Sequence, residues 1–198
     1  MQGEQLSTFH GRVPCTPCGE AAAPCAEQGR SLLEIMVALS ILAVTVGAAV
    51  PALLDLQARF RLEGQAVELV TDLHYVRSEA LSRNQTMRIS FHADAAGSCY
   101  VLHTGDMGDC SCASNGTAQC DDPDNTIVKS VGFAAEQRIS LQTNVISMLF
   151  DPGRGTTTPA GSITLTGASG KTIRQIVNIA GRTRTCSPEG SVSGYKTC

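Results

Sequence analysis

A long apolar run near the beginning is the dominant hydropathy feature of this sequence. Residues 35–54 contain no charged side chain, and the run is interrupted only by Ser40, Thr45, Gly47 and Pro51. At 1.5 Å per residue, these 20 residues form a helix about 30 Å long, the thickness of a bilayer hydrocarbon core. The pattern predicts a transmembrane helix over residues 30–56.

Beyond this run, apolar positions recur with the period of an α-helix. They are separated by three or four residues and comprise Leu62, Ala66, Leu69, Leu73, Val76 and Ala80. This spacing places all six on one face of a helix. We therefore expect the helix to continue as an amphipathic half over residues 57–84, with the apolar stripe packed against a head domain.

After residue 84 the pattern changes to short runs typical of β-strands. The predicted strands are residues 86–92, 98–103, 126–132, 137–142, 145–150, 162–166 and 172–179. Breakers such as Asp151-Pro152-Gly153 and Ser169-Gly170 lie between them and favour antiparallel connections. The sequence thus predicts an α+β protein whose head, residues 85–198, is a small antiparallel β-sandwich.

Composition and charge narrow the functional classes. The 198 residues suffice for one domain with a sizeable core. A net charge of −3 and a pI near 5.8 give no whole-chain attraction to nucleic acid or to an anionic membrane, so any such attraction must be local. An aromatic content of 4% with no Trp suits a thin, sheet-rich domain better than a deep-pocketed enzyme.

The nine cysteines are distributed unevenly about the apolar run. The later six are Cys99, Cys110, Cys112, Cys120, Cys186 and Cys198. Their even number predicts up to three disulfides in an oxidising compartment, the periplasm or the cell exterior. A Cys186–Cys198 bridge would hold the chain end, whereas the other four cysteines allow three pairings that the sequence does not rank.

The three earlier cysteines, Cys15, Cys18 and Cys25, precede the apolar run. Cys15-x-x-Cys18 has only Cys25 and His10 nearby as further ligands for a zinc site. A cleaved leader whose thiols play no part in the mature protein is the favoured interpretation.

A glycine stands five residues before a glutamate at the start of the apolar run, in Gly29-Arg30-Ser31-Leu32-Leu33-Glu34. This arrangement resembles the class III signal of type IV pilins. The resemblance implies that a prepilin peptidase removes residues 1–29, methylates the new amine of Arg30 and leaves Glu34 as the fifth mature residue. A carboxylate in hydrocarbon needs a partner, which in a filament would be the terminus of a neighbouring subunit.

Three further segments carry a second resemblance. They are Val76-Arg77-Ser78-Glu79-Ala80-Leu81, Phe150-Asp151-Pro152-Gly153-Arg154-Gly155 and Gly181-Arg182-Thr183-Arg184. Together they resemble the GspH/FimT/FimU family. The resemblance implies a long helix, a two-sheet head and a minor filament subunit that is held in the inner membrane with its head in the periplasm. Its expected partners are other pilin or pseudopilin subunits and the prepilin peptidase.

The stretch from residue 171 onward is locally basic. It contains Lys171, Arg174, Arg182, Arg184 and Lys196 against one acid, Glu189. On an extended segment the two-residue period puts Arg182 and Arg184 on one face, where both could approach a nucleic-acid backbone. In FimT-type proteins a G-R-x-R motif at this place is associated with binding incoming DNA. The resemblance therefore implies a minor pilin that assists pilus assembly and binds double-stranded DNA without sequence specificity.

An alternative assigns the same features to an H-type minor pseudopilin of type II protein secretion. Related pseudopilins also carry a Gly-Arg near the C-terminus, and arginines on an edge strand discourage aggregation. Which filament system the chain serves stays open at the level of sequence.

Other chemistry finds weaker support in the sequence. Six aspartates between residues 94 and 124 indicate a solvated acidic loop, with a calcium site at residues 121–125 as the less favoured alternative because the spacing is not that of an EF-hand. No Ser/His/Asp or Cys/His set lies in a catalytic motif. We expect no enzymatic activity, no cofactor and no metal.

Overall fold

The computed structural model describes residues 31–198, and the chain divides into two compact units, Met1–Val44 and Thr45–Cys198. Helix α1, Leu32–Arg83, begins in the first unit and ends in the second. In the first unit, all described side chains are exposed, in keeping with a segment that meets lipid. The Gly29 and Arg30 of the predicted cleavage site lie outside the described residues.

In the second unit, α1 is amphipathic. The structure buries all six residues of the predicted apolar stripe, together with Asp72. The helix ends where Asn84 adopts a left-handed conformation (φ +48°) and the Gln85 N–H donates to the Ala80 carbonyl at 3.2 Å. This is a Schellman-type ending, in which Asn takes the place usually held by Gly.

Eleven strands follow the helix in the described chain. They are β1 (Met87–Asp94), β2 (Gly97–His103), β3 (Cys110–Cys112), β4 (Ala118–Cys120), β5 (Ile127–Ala134), β6 (Ser140–Thr143), β7 (Ser147–Phe150), β8 (Thr157–Thr158), β9 (Gly161–Thr166), β10 (Thr172–Val177) and β11 (Thr183–Cys186). Short 3₁₀ turns at Ala135–Gln137 and Pro188–Gly190 interrupt the strand connections.

The strands form three sheets with antiparallel pairing throughout. The orders are β5-β2-β1-β7-β8, β11-β10-β9-β6 and β3-β4. The predicted fold class, a long helix followed by an antiparallel head, is confirmed. All seven predicted runs overlap a strand, and the strands that the pattern missed, β3, β4, β8 and β11, have only two to four residues each.

One hydrophobic core joins the amphipathic half of α1 to both larger sheets. In β10, burial alternates so that Ile173, Gln175 and Val177 point inward. The buried Gln175 amide donates to the Ala66 carbonyl of α1 at 3.3 Å, which fixes the inner face of this sheet against the helix. The intervening residues of β9 and β10 therefore form an outer face on the side away from α1.

The segment between β2 and β5, residues 104–126, forms what we call the acidic lobe. It holds the β3–β4 hairpin, five aspartates and no Lys or Arg. A Cys110–Cys120 disulfide closes the hairpin, and a Cys99–Cys112 disulfide joins it to β2. The third disulfide, Cys186–Cys198, ties the chain end to β11.

Candidate functional site

The three sequence segments that carry the family resemblance meet around the side chain of Arg77. Arg77 is half-buried on α1, and its Nε donates to the Gly155 carbonyl at 2.9 Å. A Cβ on Gly155 would lie 3.0 Å from that Nε, and a Cβ on Gly181 would lie 2.9 Å from it and 2.5 Å from the Gly155 carbonyl oxygen. The two glycines thus provide the space in which helix, loop and hairpin come together.

The loop before β8 is built on Asp151. Its Oδ1 accepts the backbone N–H groups of Gly153 at 3.0 Å and Arg154 at 2.9 Å. The Asp151 carbonyl accepts the Gly155 N–H at 2.9 Å, and Gly155 adopts φ +61°. The Asp-Pro-Gly sequence therefore specifies a turn that satisfies its own backbone, as expected for an Asx-turn residue.

The β10–β11 hairpin turns at Gly181. Gly181 has φ +70°, and its N–H donates to the Asn178 carbonyl at 2.9 Å. Asn178 also accepts the Arg182 N–H on its side chain at 2.9 Å. The Thr157 N–H donates to the Ile179 carbonyl at 2.8 Å, so β8 is bonded to this turn. A left-handed residue in a short hairpin loop favours Gly, and here the close packing excludes any Cβ as well.

Arg182 and Arg184 form what we call the arginine face. Arg184 lies in β11 opposite Ile176, and Arg182 directly precedes the strand. Both are exposed, while Thr185 points inward and donates to Gln175 at 2.6 Å. Their side chains are about 6.8 Å apart along the strand, on the side away from α1. Among residues 31–198, no group hydrogen-bonds or ion-pairs with either guanidinium.

The other three basic candidates are arranged differently. Lys171 Nζ lies 2.8 Å from Asp55 Oδ2, and Arg174 Nε donates to Thr164 Oγ1 at 3.1 Å. Lys196 is exposed, and its carbonyl accepts the Ser187 N–H at 2.8 Å. The structure therefore engages Lys171 and Arg174 within the protein and leaves Arg182, Arg184 and Lys196 facing solvent.

Two of the five aspartates of the acidic lobe, Asp109 and Asp122, accept hydrogen bonds within the lobe. Asp109 Oδ2 accepts the Asp106 N–H at 2.7 Å and the Asn125 amide at 3.0 Å. Asp122 Oδ1 accepts the Asp124 N–H at 2.9 Å. No group of three His, Cys, Asp or Glu side chains suited to a metal occurs in the described part of the chain. The arrangement is that of a loop that caps its own backbone.

The sequence analysis did not predict a partly buried ion cluster at the helix–sheet interface, in which Asp72 is buried and Glu68 and Lys129 are partly exposed. Asp72 accepts the Tyr100 hydroxyl at 2.7 Å and Lys129 at 2.9 Å, and Lys129 also reaches Glu68 at 2.8 Å. Burial, and then the hydrogen bond to Asp72, raise the pKa of Tyr100. Partial burial alone would lower the pKa of Lys129, but the two carboxylates outweigh it and raise that pKa. The sequence feature that could have indicated this cluster is an acid, Asp72, that lies within the apolar stripe between Leu69 and Val76.

A buried histidine lies where β2 enters the acidic lobe. His103 Nδ1 donates to the Thr104 carbonyl at 2.8 Å, which leaves Nε2 to accept the Ser90 hydroxyl at 2.8 Å. Burial lowers the pKa of His103, the bond to Thr104 partly opposes this, and the nearby Arg88 lowers it further. The neutral imidazole is the form that this environment stabilises.

The structure describes residues 31–56 of the predicted transmembrane helix. Glu34 lies in the first turn of α1 and is exposed. Within the described residues, α1 is the one helix long and apolar enough to cross a membrane, with a mean hydropathy of 2.3 in its most apolar window. This N-terminal apolar helix supports membrane anchoring.

Comparisons with known proteins find one matching family model and similar solved structures. The family model described as "Type II transport protein GspH" matches residues 65–181, more than half of the chain. The crystal structure of the type IV minor pilin FimU from Pseudomonas aeruginosa is similar at 16% identity and a TM-score of 0.48, covering 68% of this chain and 97% of that one. The minor pseudopilin EpsH of the Vibrio cholerae Type 2 Secretion System is similar at 11% identity and a TM-score of 0.43, covering 64% and 96%.

A search of curated protein sequences finds no match. The family model spans the end of α1 and the Asp151 loop and ends at Gly181, so Arg182 and Arg184 lie just beyond the matched residues. The chain therefore belongs to the GspH family of minor pilins and pseudopilins.

Proposed function

We propose that this minor subunit belongs to a type IV pilus and binds double-stranded DNA without sequence preference through Arg182 and Arg184. The observation that carries the proposal is the arginine face: two exposed guanidinium groups on one side of β11, without a protein partner in residues 31–198. Strands β9, β10 and β11 contain no acidic residue, so nothing on them repels a phosphate backbone. Guanidinium groups bind phosphate strongly through paired N–H donors.

The membrane and processing steps form part of the same proposal. Residues 1–29 are a leader that a prepilin peptidase removes, and Arg30 is then methylated. Residues 30–56 span the inner membrane, residues 57–84 continue the helix, and residues 85–198 form a periplasmic head. In the filament, Glu34 pairs with the amino terminus of a neighbouring subunit, because an unpaired carboxylate in hydrocarbon is costly.

The experiment that tests DNA binding uses the full chain in an uncharged detergent and a fluorescent duplex across a salt series. Each lost phosphate contact lowers the slope of log affinity against log salt by about 0.9. For an Arg182→Ala/Arg184→Ala variant, the magnitude of this slope should therefore decrease by about 1.8, and most of the affinity should be lost. The matched control, Lys171→Ala/Arg174→Ala, removes two cations that are engaged within the protein and should lose less.

Two outcomes would reject the DNA-binding proposal. One is the absence of binding by the wild-type chain at low salt. The other is a pair of double variants that lose equal slope, because that result would reflect net charge rather than the arginine face.

A second candidate is an H-type minor pseudopilin of type II protein secretion. Two observations favour it: the wording of the matching family model, and the packing of Gly181 against Arg77, which explains that glycine without DNA. Deletion of the gene separates the candidates. Loss of protein export with intact DNA uptake supports the secretion role, and the reverse supports the pilus role.

A further inference from the structure

Arg154 lies on the loop that packs directly against the Gly181 turn. A Cβ on Gly181 would approach the Gly155 carbonyl oxygen to 2.5 Å, so the two backbones are in contact there. The Thr157–Ile179 hydrogen bond joins the same two segments at 2.8 Å. Arg154 and Arg182 are each one residue, about 3.8 Å of Cα trace, from this glycine contact.

The charge of Arg154 is available to a ligand. Its side chain is exposed, and in the described residues it has no hydrogen-bond or ion-pair partner. The nearest acid in sequence, Asp151, directs Oδ1 at the backbone N–H groups of Gly153 and Arg154. The carboxylate therefore supports the loop that presents Arg154.

We propose that Arg154 is a third phosphate-binding residue, so that the DNA site consists of two loops joined at the Gly155–Gly181 contact. This inference rests on the proposed DNA binding. Arg182 and Arg184 both belong to the hairpin of β10 and β11, whereas Arg154 belongs to the loop before β8. A third contact from a separate segment helps to fix the orientation of the duplex, which is what phosphate contacts contribute in general.

The Gly155–Gly181 contact with Arg77 is the scaffold of this site. Arg77 is half-buried and bonds the Gly155 carbonyl, so it holds the loop in place. The loop is also bonded internally, since the Asp151 N–H donates to the Thr156 carbonyl at 2.9 Å. Arg154 is thus a surface side chain on a fixed backbone, and its replacement should leave the fold intact.

The test compares Arg154→Gln with Arg138→Gln in the full chain, using the same duplex and salt series. Arg138 is a matched control because it is exposed, has no side-chain partner in the described residues, and directly precedes Ile139 and β6, at the opposite edge of the sheet from β11. We expect Arg154→Gln to lower the salt slope by about 0.9 and Arg138→Gln to leave it unchanged. Arg154→Lys should keep the slope, since it keeps the charge, while weakening binding.

The outcomes separate this inference from the function on which it rests. If Arg182→Ala/Arg184→Ala loses slope but Arg154→Gln does not, Arg154 is not a contact and the proposed function stands. Equal losses in Arg154→Gln and Arg138→Gln also overturn the inference, because the effect is then one of net charge. If the wild-type chain does not bind, both proposals fail. Thermal unfolding of each variant, compared with that of the wild-type chain, tests whether the fold is retained.

Discussion

The acidic lobe and the arginine face use charge in opposite ways. In the lobe, Asp109 and Asp122 accept backbone and side-chain donors from neighbouring residues, and two disulfides hold the segment. On the arginine face, Arg182 and Arg184 are presented by a hairpin that is ordered by backbone bonds and by glycine packing. In the lobe, charge stabilises local structure, whereas on the arginine face the structure is complete without the charges.

This difference predicts which property, stability or ligand binding, a mutation in each region should change. Replacing groups that order the lobe should lower the free energy of unfolding and leave ligand binding alone. Replacing the exposed arginines should leave stability alone and change binding. The lobe is cross-linked because its short β3–β4 hairpin has little core of its own, and a two-stranded hairpin is marginal in water.

The largest expected effect is the loss of a lobe disulfide. The bridges close separations of 13 residues (Cys99–Cys112) and 10 residues (Cys110–Cys120). A Cys-to-Ala pair at either bridge should lower the free energy of unfolding by about 3 kcal/mol, as measured by urea denaturation. The salt slope of DNA binding should not change, and a changed slope would show that the lobe and the arginine face are not independent.

The next effect tests the glycine packing at the other region. Gly181→Ala places a Cβ 2.5 Å from the Gly155 carbonyl oxygen, at a residue with φ +70°. This change should lower the free energy of unfolding by about 2–3 kcal/mol. Gly170→Ala is the matched control, because Gly170 has φ +74° with nothing within 4 Å of its Cβ, so only the backbone cost of about 1 kcal/mol applies. Equal losses in urea denaturation would contradict the role of Gly181 in packing.

A pH-dependent effect should distinguish the two regions further. The pKa of His103 is lowered in the fold, so below the ordinary value of 6.5 the unfolded chain gains a proton that the folded chain does not bind. His103 therefore does not lower the free energy of unfolding above pH 6.5. Below that pH it lowers the free energy of unfolding, by at most about 1.4 kcal/mol per pH unit.

Urea denaturation at pH 7 and pH 5.5 measures this loss, and His103→Gln should reduce it. The arginines stay charged over the same range, so DNA binding itself should change less. A His103→Gln variant with the same pH dependence as wild type would argue against His103 as the source.

The smallest expected effect on stability comes from replacing a single charged side chain in each region. Asp109→Ala removes the acceptor for the Asp106 N–H and the Asn125 amide and should cost about 1 kcal/mol. Arg182→Ala removes no side-chain hydrogen bond or ion pair within residues 31–198 and should stay within about 0.5 kcal/mol of wild type. Thermal unfolding of both variants measures the contrast, and a clear destabilisation by Arg182→Ala would show that this arginine has a structural role.

The architecture was largely predictable from the sequence. The apolar run, the stripe from Leu62 to Ala80 and the alternating strand runs each depend on periodicity along the chain, which is local information. The stripe is buried and the antiparallel head is confirmed. The short strands β3, β4, β8 and β11 escaped prediction because two to four residues carry too little alternation to be recognised.

The candidate site was predictable only as a set of residues. Arg182 and Arg184 were identified from spacing, and the structure leaves both exposed, but it engages Lys171 with Asp55 and Arg174 with Thr164. The Lys171 contact could not be predicted because Asp55 and Lys171 are 116 residues apart in sequence. The Arg174 contact depends on the register that places Arg174 opposite Thr164 between β9 and β10. No feature of the sequence around Arg154 links it to Arg182.

The chain's own pattern of residues was enough to specify a lipid-length helix, an amphipathic continuation, an antiparallel head and the membership implied by three short segments. The disulfide pairing in the lobe, the cluster of Asp72 with Tyr100 and Lys129, and the meeting of Arg77 with Gly155 and Gly181 emerged from the folded arrangement. The physical reason is that propensity and hydropathy act between near neighbours in sequence, whereas these contacts depend on sheet order and register, which bring distant residues together.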